Sequence, residues 1–293
     1  MSNDDYQLHQ SIQLSDGRIL GYAEYGSAEG FPIFYFTGGN SSRLEGQWFS
    51  TTAQKKKIRL IVPDRPGFGL STFSEDRELL DWPNDLVELA NALSLENFSI
   101  FGLSGGGPHT LATAFKIPER IIKVAIVSGT APPEMPNKFK DMWPPVQAIF
   151  YTADKLPIVN RFLLKQMAAF YSNEEQMMKR MKQGLPLPDV NLIDSKPDII
   201  KIFSESTKEA HRNGLLGDAW EWQLYIKPWG FQLKDIQKEI KLWYGLYDQM
   251  VPIGMGRFLA QELLNGHLIE VEDGGHFSTV NNYSEDILDY LIS

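Results

Sequence analysis

Hydrophobic positions along the chain follow two rhythms. In the first, short runs of consecutive apolar residues at 32–36, 58–62, 98–101 and 122–127 alternate with segments long enough to form a helix. Ahead of them, residues 11–14 and 18–25 flank Ser15-Asp16-Gly17, a turn sequence that predicts an opening β-hairpin. Runs that are apolar at every position suit strands buried on both faces. Their alternation with helical segments implies right-handed crossovers and a mostly parallel sheet.

The second rhythm begins after Val127. Ala131-Pro132-Pro133 and Trp143-Pro144-Pro145 open a region reaching to Leu233 that is rich in Met, Phe, Trp, Leu and Lys at helical spacing and carries no strand pattern. Strand rhythm resumes at 240–245 and again at 268–271. The chain is therefore expected to divide into three parts: the first part of an α/β core at 1–130, a helical insertion at 131–235 between the sixth and seventh strands, and the rest of the core at 236–293. No internal repeat or low-complexity tract interrupts this order.

Chemistry enters at the corner between the strand at 98–101 and a helical run at 108–116. Gly102-Leu103-Ser104-Gly105-Gly106 fits a nucleophile elbow, where the apical side chain sits on a strained turn and the glycines let strand and helix pass without Cβ clashes. In a chain with 24 glycines the pentapeptide alone is not diagnostic. A serine hydroxyl also needs an imidazole to take its proton, and a carboxylate to fix that imidazole's tautomer and charge. Both occur downstream, each just past a strand. Asp248 follows the run at 240–245, and His276 follows the run at 268–271 on the loop Glu272-Asp273-Gly274-Gly275. Asp273 is a second acid near His276, but so close in sequence it reads as a surface turn residue. In open α/β sheets ligands bind outside the carboxyl ends of the strands, the edge where Ser104, Asp248 and His276 are all expected.

The order Ser, Asp, His along the chain is the arrangement of the α/β hydrolases. On these residues, together with Gly21-Tyr22-Ala23-Glu24-Tyr25-Gly26, Asp64-Arg65-Pro66-Gly67-Phe68-Gly69-Leu70-Ser71 and Pro118-Glu119-Arg120, the sequence resembles the α/β-hydrolase fold superfamily over nearly its whole length. The resemblance implies a mostly parallel sheet flanked by helices, with the insertion at 131–235 acting as a helical cap over the site. It also implies an oxyanion hole built from the amide of Gly105 and the amide of Gly39, in the loop Phe36-Thr37-Gly38-Gly39-Asn40. Alignment with the family's His-Gly-x motif puts Thr37 where the family carries a histidine that helps hold this loop. Gly38 and Asn40 are expected to border the substrate, with Asn40 adding a side-chain donor. Asp64 and Arg65 are expected to fix the loop after the fourth strand. Of the cap aromatics Trp143, Phe150, Tyr151, Trp220, Trp222 and Trp229, most should form the core of the helical layer and some should line the pocket; Trp143 and Trp220 are the candidate substrate contacts.

Composition narrows the chemistry further. A formal charge of −9, from 37 acids against 28 bases, leaves no basic footprint for nucleic acid or an anionic membrane. The absence of cysteine excludes a disulfide scaffold, a thiolate nucleophile and cysteine-ligated metal. No histidine cluster argues for metal, and neither a P-loop ending nor a dinucleotide fingerprint is present, so no cofactor is expected. Residues 1–10 are polar and acidic, unlike a signal peptide, and no apolar run is long enough to span a bilayer, which points to the cytoplasm. Among the other histidines, His9 falls in the terminus, expected to be frayed, His211 in the insertion and His267 near the start of a strand, at the edge opposite the site; His109, one turn into the elbow helix, reads as packing or a pocket wall.

Together these features lead to an expected cofactor-free serine hydrolase of a small, largely apolar carboxylic ester, with Ser104 as nucleophile, His276 as base and then acid, and Asp248 as its orienter. A serine at the elbow disfavours halide or epoxide opening through an alkyl-ester intermediate. Other chemistry on the same triad stays open: amide or aminopeptide, thioester and carbon–carbon hydrolysis, or perhydrolysis. A slow-turnover ligand receptor on the same scaffold also stays open, as does the oligomeric state.

Overall fold

A computed structural model describes residues 7–171 and 173–293. Residues 1–6 of the polar N-terminal stretch lie outside the described residues. The expected hairpin is present as β1 (Gln7–Gln13) and β2 (Ile19–Gly26), paired antiparallel. His9 is part of β1, and its Nδ1 lies 2.8 Å from Arg43 Nη2, so it belongs to the sheet edge and not to a loose terminus. There follow β3 (Phe31–Phe36), α1 (Ser50–Lys55), β4 (Ile58–Pro63), α2 (Trp82–Ala92), β5 (Phe98–Leu103), α3 (Gly106–Lys116) and β6 (Ile121–Val127). Six helices come next: α4 (Pro144–Lys155), α5 (Pro157–Tyr171), α6 (Glu174–Gly184), α7 (Leu187–Ser195), α8 (Asp198–Ala210) and α9 (Leu216–Leu224). The chain then returns to the sheet with β7 (Ile240–Gly245), α10 (Ile253–Glu262), β8 (Gly266–Val271), α11 (His276–Asn282) and α12 (Ser284–Ile292).

The strands form one sheet in the order β1-β2-β4-β3-β5-β6-β7-β8. β2 pairs antiparallel with β1 and β4, and every other pairing is parallel. The continuous apolar runs are explained by the strand's two-residue period. In β3, Phe34 and Phe36 join Leu86, Leu89 and Leu111 from α2 and α3 on one face, while Ile33 and Tyr35 join Phe49, Ala53 and Leu288 on the other. Tyr35 stacks on Phe101 of β5 at 4.4 Å, and Phe34 meets Phe98 edge-on at 4.7 Å. Each such side chain moved fully out of water contributes about 1.5–3 kcal/mol.

The inserted helices are amphipathic, and prolines at the start of α4, α5 and α7 cost no hydrogen bond there because the first amides of a helix have no intrahelical partner. α8 shows the pattern plainly. Ile199, Ile200, Ser204, Ser206, Thr207 and Ala210 are buried, while Lys201, Glu205 and Lys208 face solvent. Its small buried face docks on the loop after β3, where the Ser206 hydroxyl meets Ser41 Oγ at 2.8 Å and accepts from the Ser42 amide at 2.9 Å. Among the described residues, no helix is long and apolar enough to cross a membrane.

At its N-terminal end α9 meets the loop after β4 backbone to backbone. A Cβ on Gly217 would lie 2.6 Å from the Gly67 carbonyl oxygen, and Gly67 has φ +89°. We predict that Gly217→Ala forces the two segments apart and costs about 1–3 kcal/mol, the usual range for overpacking. Urea unfolding of the variant against Gly214→Ala tests this, although Gly214 has φ +100° and carries its own backbone penalty of about 1 kcal/mol. A Gly217 variant no less stable than the wild type would refute the close contact.

Candidate active site

Ser104 sits between β5 and α3 with φ +53°, in the left-handed region that a non-glycine residue enters only under constraint. The constraint is visible on both sides. The Ser104 amide donates to Val127 O of β6 at 2.9 Å, and Ser104 O accepts from Gly107 N at 3.0 Å and Thr130 N at 3.2 Å. A Cβ on Gly102 would press on Thr110 Oγ1 and come within 2.5 Å of Gly106 O, and one on Gly106 would collide with the Phe36 carbonyl. The strand and helix therefore cross at a separation that only glycine permits, with Ser104 at the apex.

Asp248 lies three residues beyond β7, buried. Its Oδ1 accepts from the amides of Met250 and Val251, both at 2.8 Å, which leaves Oδ2 to take His276 Nδ1 at 2.8 Å. With Nδ1–H committed to Asp248, Nε2 is the ring nitrogen left to act as a base. Burial disfavours the charged imidazole, but the Asp248 carboxylate, through charge and hydrogen bond, outweighs it and raises the His276 pKa above its ordinary value. Asp273, the alternative acid, is exposed and takes no part in this pair.

His276 opens α11, and the start of that helix is held by a residue the sequence did not single out. Asp189, buried at 0% exposure in α7, accepts from the His276 amide at 2.9 Å, the Phe277 amide at 3.1 Å, and the Ser278 amide and hydroxyl at 2.8 and 2.7 Å. Burial pushes its carboxyl above the usual range, against the opposing pull of these donors. The carboxylate does the work of an N-cap from across the fold, and nothing in the local sequence of either segment announces it.

The loop after β3 carries Gly38 and Gly39 to the same place. Arg65 holds it from behind: Nη1 donates to Thr37 O at 2.7 Å and Thr37 Oγ1 at 3.2 Å, and Nη2 donates to Gly38 O at 2.9 Å. A Cβ on Gly105 would lie 3.0 Å from the Gly39 nitrogen, so the two glycines abut. The Gly38 amide is already spent on Glu45 Oε1 at 3.2 Å, which leaves the amides of Gly39 and Gly105 as the pair free to face a ligand. Asn40 has φ +56° and lies on the cavity wall; with its amide oriented to suit its neighbours it donates to Asp218 Oδ2 at 2.6 Å, so its donor points into the protein and not towards a ligand.

Ser104, His276, Gly38, Gly39, Asn40 and Gly105 all border one cavity of about 80 Å³. Its remaining wall is mostly apolar and comes largely from the inserted helices, with Val146 and Phe150 of α4, Met167 of α5, Phe203 of α8 and Trp222 of α9. Trp143 and Trp220 are not on that wall. The Trp220 indole donates to Arg77 O at 2.9 Å and packs edge-on to Phe73, and Trp143 packs beside Gly184. His109 is not on it either: it is buried between Gly105 O at 3.3 Å and Glu221 Oε1 at 3.1 Å. His211 pairs with Asp218 at 3.3 Å, and His267 lies on β8 at the far edge of the sheet.

Residues 32–283 match the sequence profile of the α/β hydrolase fold family. The chain is 22% identical over 270 residues to the uncharacterized hydrolase YcgS of Bacillus subtilis, covering 89% of each protein. In structure it is similar to a hydrolase from Pseudomonas aeruginosa (TM-score 0.71, 18% identity, 100% of both chains). It is also similar to the esterase EaEST from Exiguobacterium antarcticum (TM-score 0.72, 17% identity, 97% of this chain and 100% of that one).

The Asp189 contact leads to a stability prediction. Asp189→Ala strands three amides and a hydroxyl in a buried setting and should cost on the order of 2–4 kcal/mol, whereas Asp273→Ala, at an exposed turn, should stay within about 0.5 kcal/mol of the wild type. Urea midpoints at unchanged slope measure both; equal midpoints would mean that Asp189 does not secure α11.

Proposed function

Because the chain belongs to the α/β hydrolase fold family, we propose that it is a serine hydrolase that cleaves a small, largely apolar carboxylic ester or related acyl bond through an acyl-Ser104 intermediate. The observation that carries this reading is the buried Asp248–His276 pair at 2.8 Å, opening onto the same cavity as the strained Ser104.

In this reading Ser104 Oγ attacks the acyl carbon as His276 Nε2 takes its proton, and Asp248 stabilises the imidazolium that results. The carbonyl oxygen, now an oxyanion, is met by the Gly39 and Gly105 amides, the second of which sits at the positive end of α3. Collapse of the tetrahedral intermediate expels the alkoxide, which takes the proton from His276. Water then attacks the acyl-serine with the same base, and the acid product leaves with Ser104 restored. The inserted helices serve as the cap, and their apolar wall favours an acyl or alkyl group over a phosphate or polyanion.

Steady-state hydrolysis of p-nitrophenyl esters of increasing chain length, by wild type and Ser104→Ala, tests the chemistry. Multiple turnovers that vanish in the variant are expected; a single burst without turnover would favour a receptor. The pH dependence has a definite sign. His276 must be neutral to act as base, so kcat/KM should be full above its pKa and fall as pH drops through it, with the acid limb above the ordinary histidine value of about 6.5. Asp248→Asn removes the carboxylate that raises that pKa, so it should move the limb to lower pH and cost roughly 10³–10⁴-fold in kcat. A limb that stays in place in this variant would count against the assignment.

A further inference from the structure

One polar group on the cavity wall has no part in the triad, the oxyanion pair or their supports. Tyr171 ends α5, one turn beyond Met167, and both residues turn the same helix face to the cavity. Its ring packs against the apolar cluster of Leu192, Ile193, Ile199 and Phe277. Protein surrounds it so closely that burial pushes its pKa up to about 12, and the phenol therefore stays neutral near pH 7. It is nevertheless only half-buried, because part of its surface opens on the cavity. The hydroxyl makes no hydrogen bond among the described residues. A tyrosine hydroxyl in such surroundings ordinarily finds a partner, so one without a partner marks a place for a ligand atom. Thr130 and Thr207 also bring hydroxyls to the wall, but at 4% and 3% exposure they offer it little surface.

The packing of the wall says which part of an ester this hydroxyl meets. Val146, Phe150 and Trp222 belong to the main core on one side of the cavity, whereas Tyr171, Phe203 and Phe277 belong to a separate, smaller cluster. That second lobe adjoins the base: Phe277 lies edge-on to His276 at 5.4 Å, and Phe203 meets Phe277 at 4.9 Å. In the serine mechanism His276 hands its proton to the departing alkoxide, which must therefore lie beside the imidazole. The lobe that carries Tyr171 is thus the alcohol side, and the Phe150 lobe the acyl side.

Resting on the serine hydrolase reading, we propose that Tyr171 is a specificity-determining residue whose hydroxyl donates to an oxygen acceptor in the alcohol part of the ester, so that the site prefers esters whose alcohol carries an ether or hydroxyl oxygen over plain alkyl esters. An alkyl alcohol leaves the phenol unpartnered, and loss of the phenol leaves the substrate's oxygen unpartnered in an apolar lobe. Either mismatch is penalised, because a buried polar group without its partner keeps the cost of having left water.

Two pairs of esters, each differing by the exchange of one methylene for oxygen, test this: butyl acetate against 2-methoxyethyl acetate on the alcohol side, and methyl pentanoate against methyl 3-methoxypropanoate on the acyl side. Each kcat/KM is measured by pH-stat and divided by that ester's hydroxide-catalysed rate. The wild type should favour methoxyethyl acetate over butyl acetate, and Tyr171→Phe, which removes only the hydroxyl, should lower that ratio about three- to tenfold, the worth of one neutral hydrogen bond. The acyl-side ratio should be the same in both proteins. Because each ratio is taken within one protein, a general loss of folded enzyme cancels. A wild type that favours butyl acetate, or a ratio that Tyr171→Phe leaves in place, overturns the proposal, as does a fall confined to the acyl-side pair. In each of those cases abolition of turnover by Ser104→Ala leaves the serine mechanism standing. Turnover that persists in Ser104→Ala overturns the mechanism itself, and a wild type that turns over none of the four esters overturns both.

Discussion

The site depends on one buried carboxylate, Glu221 of α9. For the Gly39 amide to face the cavity, the carbonyls of Thr37 and Gly38 must turn away from it, and Arg65 satisfies both. That places a guanidinium at 2% exposure, which requires a counter-charge. Glu221 supplies it, with Oε1 2.8 Å from Arg65 Nε and 3.1 Å from the Tyr225 hydroxyl, while Oε2 pairs with Arg77. Burial opposes ionisation, but His109, Arg65 and Arg77 around it hold its carboxyl down at about 2. Removing one partner of such a cluster costs about 3–5 kcal/mol because the other charge is left buried and unpaired. The loop that carries the Gly39 donor is thus positioned by a charge on another layer of the protein.

What could be read from the sequence, and what could not, follows from how far each constraint reaches along the chain. The sheet was legible because each strand is a local run whose alternate residues enter two cores, and every expected strand is found with its ends within a few residues. Ser104, Asp248 and His276 were legible as candidates because each follows a strand directly, and the structure brings His276 to Asp248 and both His276 and Ser104 to one cavity. Asp189 and Glu221 were not, since each acts on partners in distant elements: Asp189 meets the α11 amides 87 to 89 positions away, and Glu221 meets Arg77 at a separation of 144. An acid in such a role looks like any surface acid until the chain folds.

The aromatic wall shows a different limit. Helical periodicity says that a residue is on a buried or an exposed face, but not whether the buried face meets a core or a cavity. On α9, Trp220 and Trp222 are two residues apart and therefore about 200° apart around the axis. Trp222 reaches the cavity and stacks edge-on with Phe150 at 4.8 Å, whereas Trp220 points to the Arg77 loop. Choosing between them requires the helix's rotation, which is set by the Glu221 cluster and the Gly67–Gly217 contact between them in the fold. Neither is a property of α9 alone.

These contacts also define what the inserted helices are to the rest of the protein. Three of the core segments that border the cavity are each held by one of them through a buried polar contact. Asp189 of α7 secures the amides of the helix that carries His276, Glu221 of α9 balances the arginine behind Gly38 and Gly39, and Ser206 of α8 fixes Ser41 and Ser42 beside Glu45. A sheet-and-helix core without α4–α9 would keep Ser104 on its elbow, whose restraints come from β6 and α3. It would leave Arg65 and Arg77 without Glu221, and the first turn of α11 without its carboxylate acceptor. The placement of Ser104 is therefore a property of the core, whereas the placements of His276 and of the Gly38-Gly39 loop are shared properties of core and insertion, so that changes in this helical layer should reach the geometry of the site as well as the shape of the cavity.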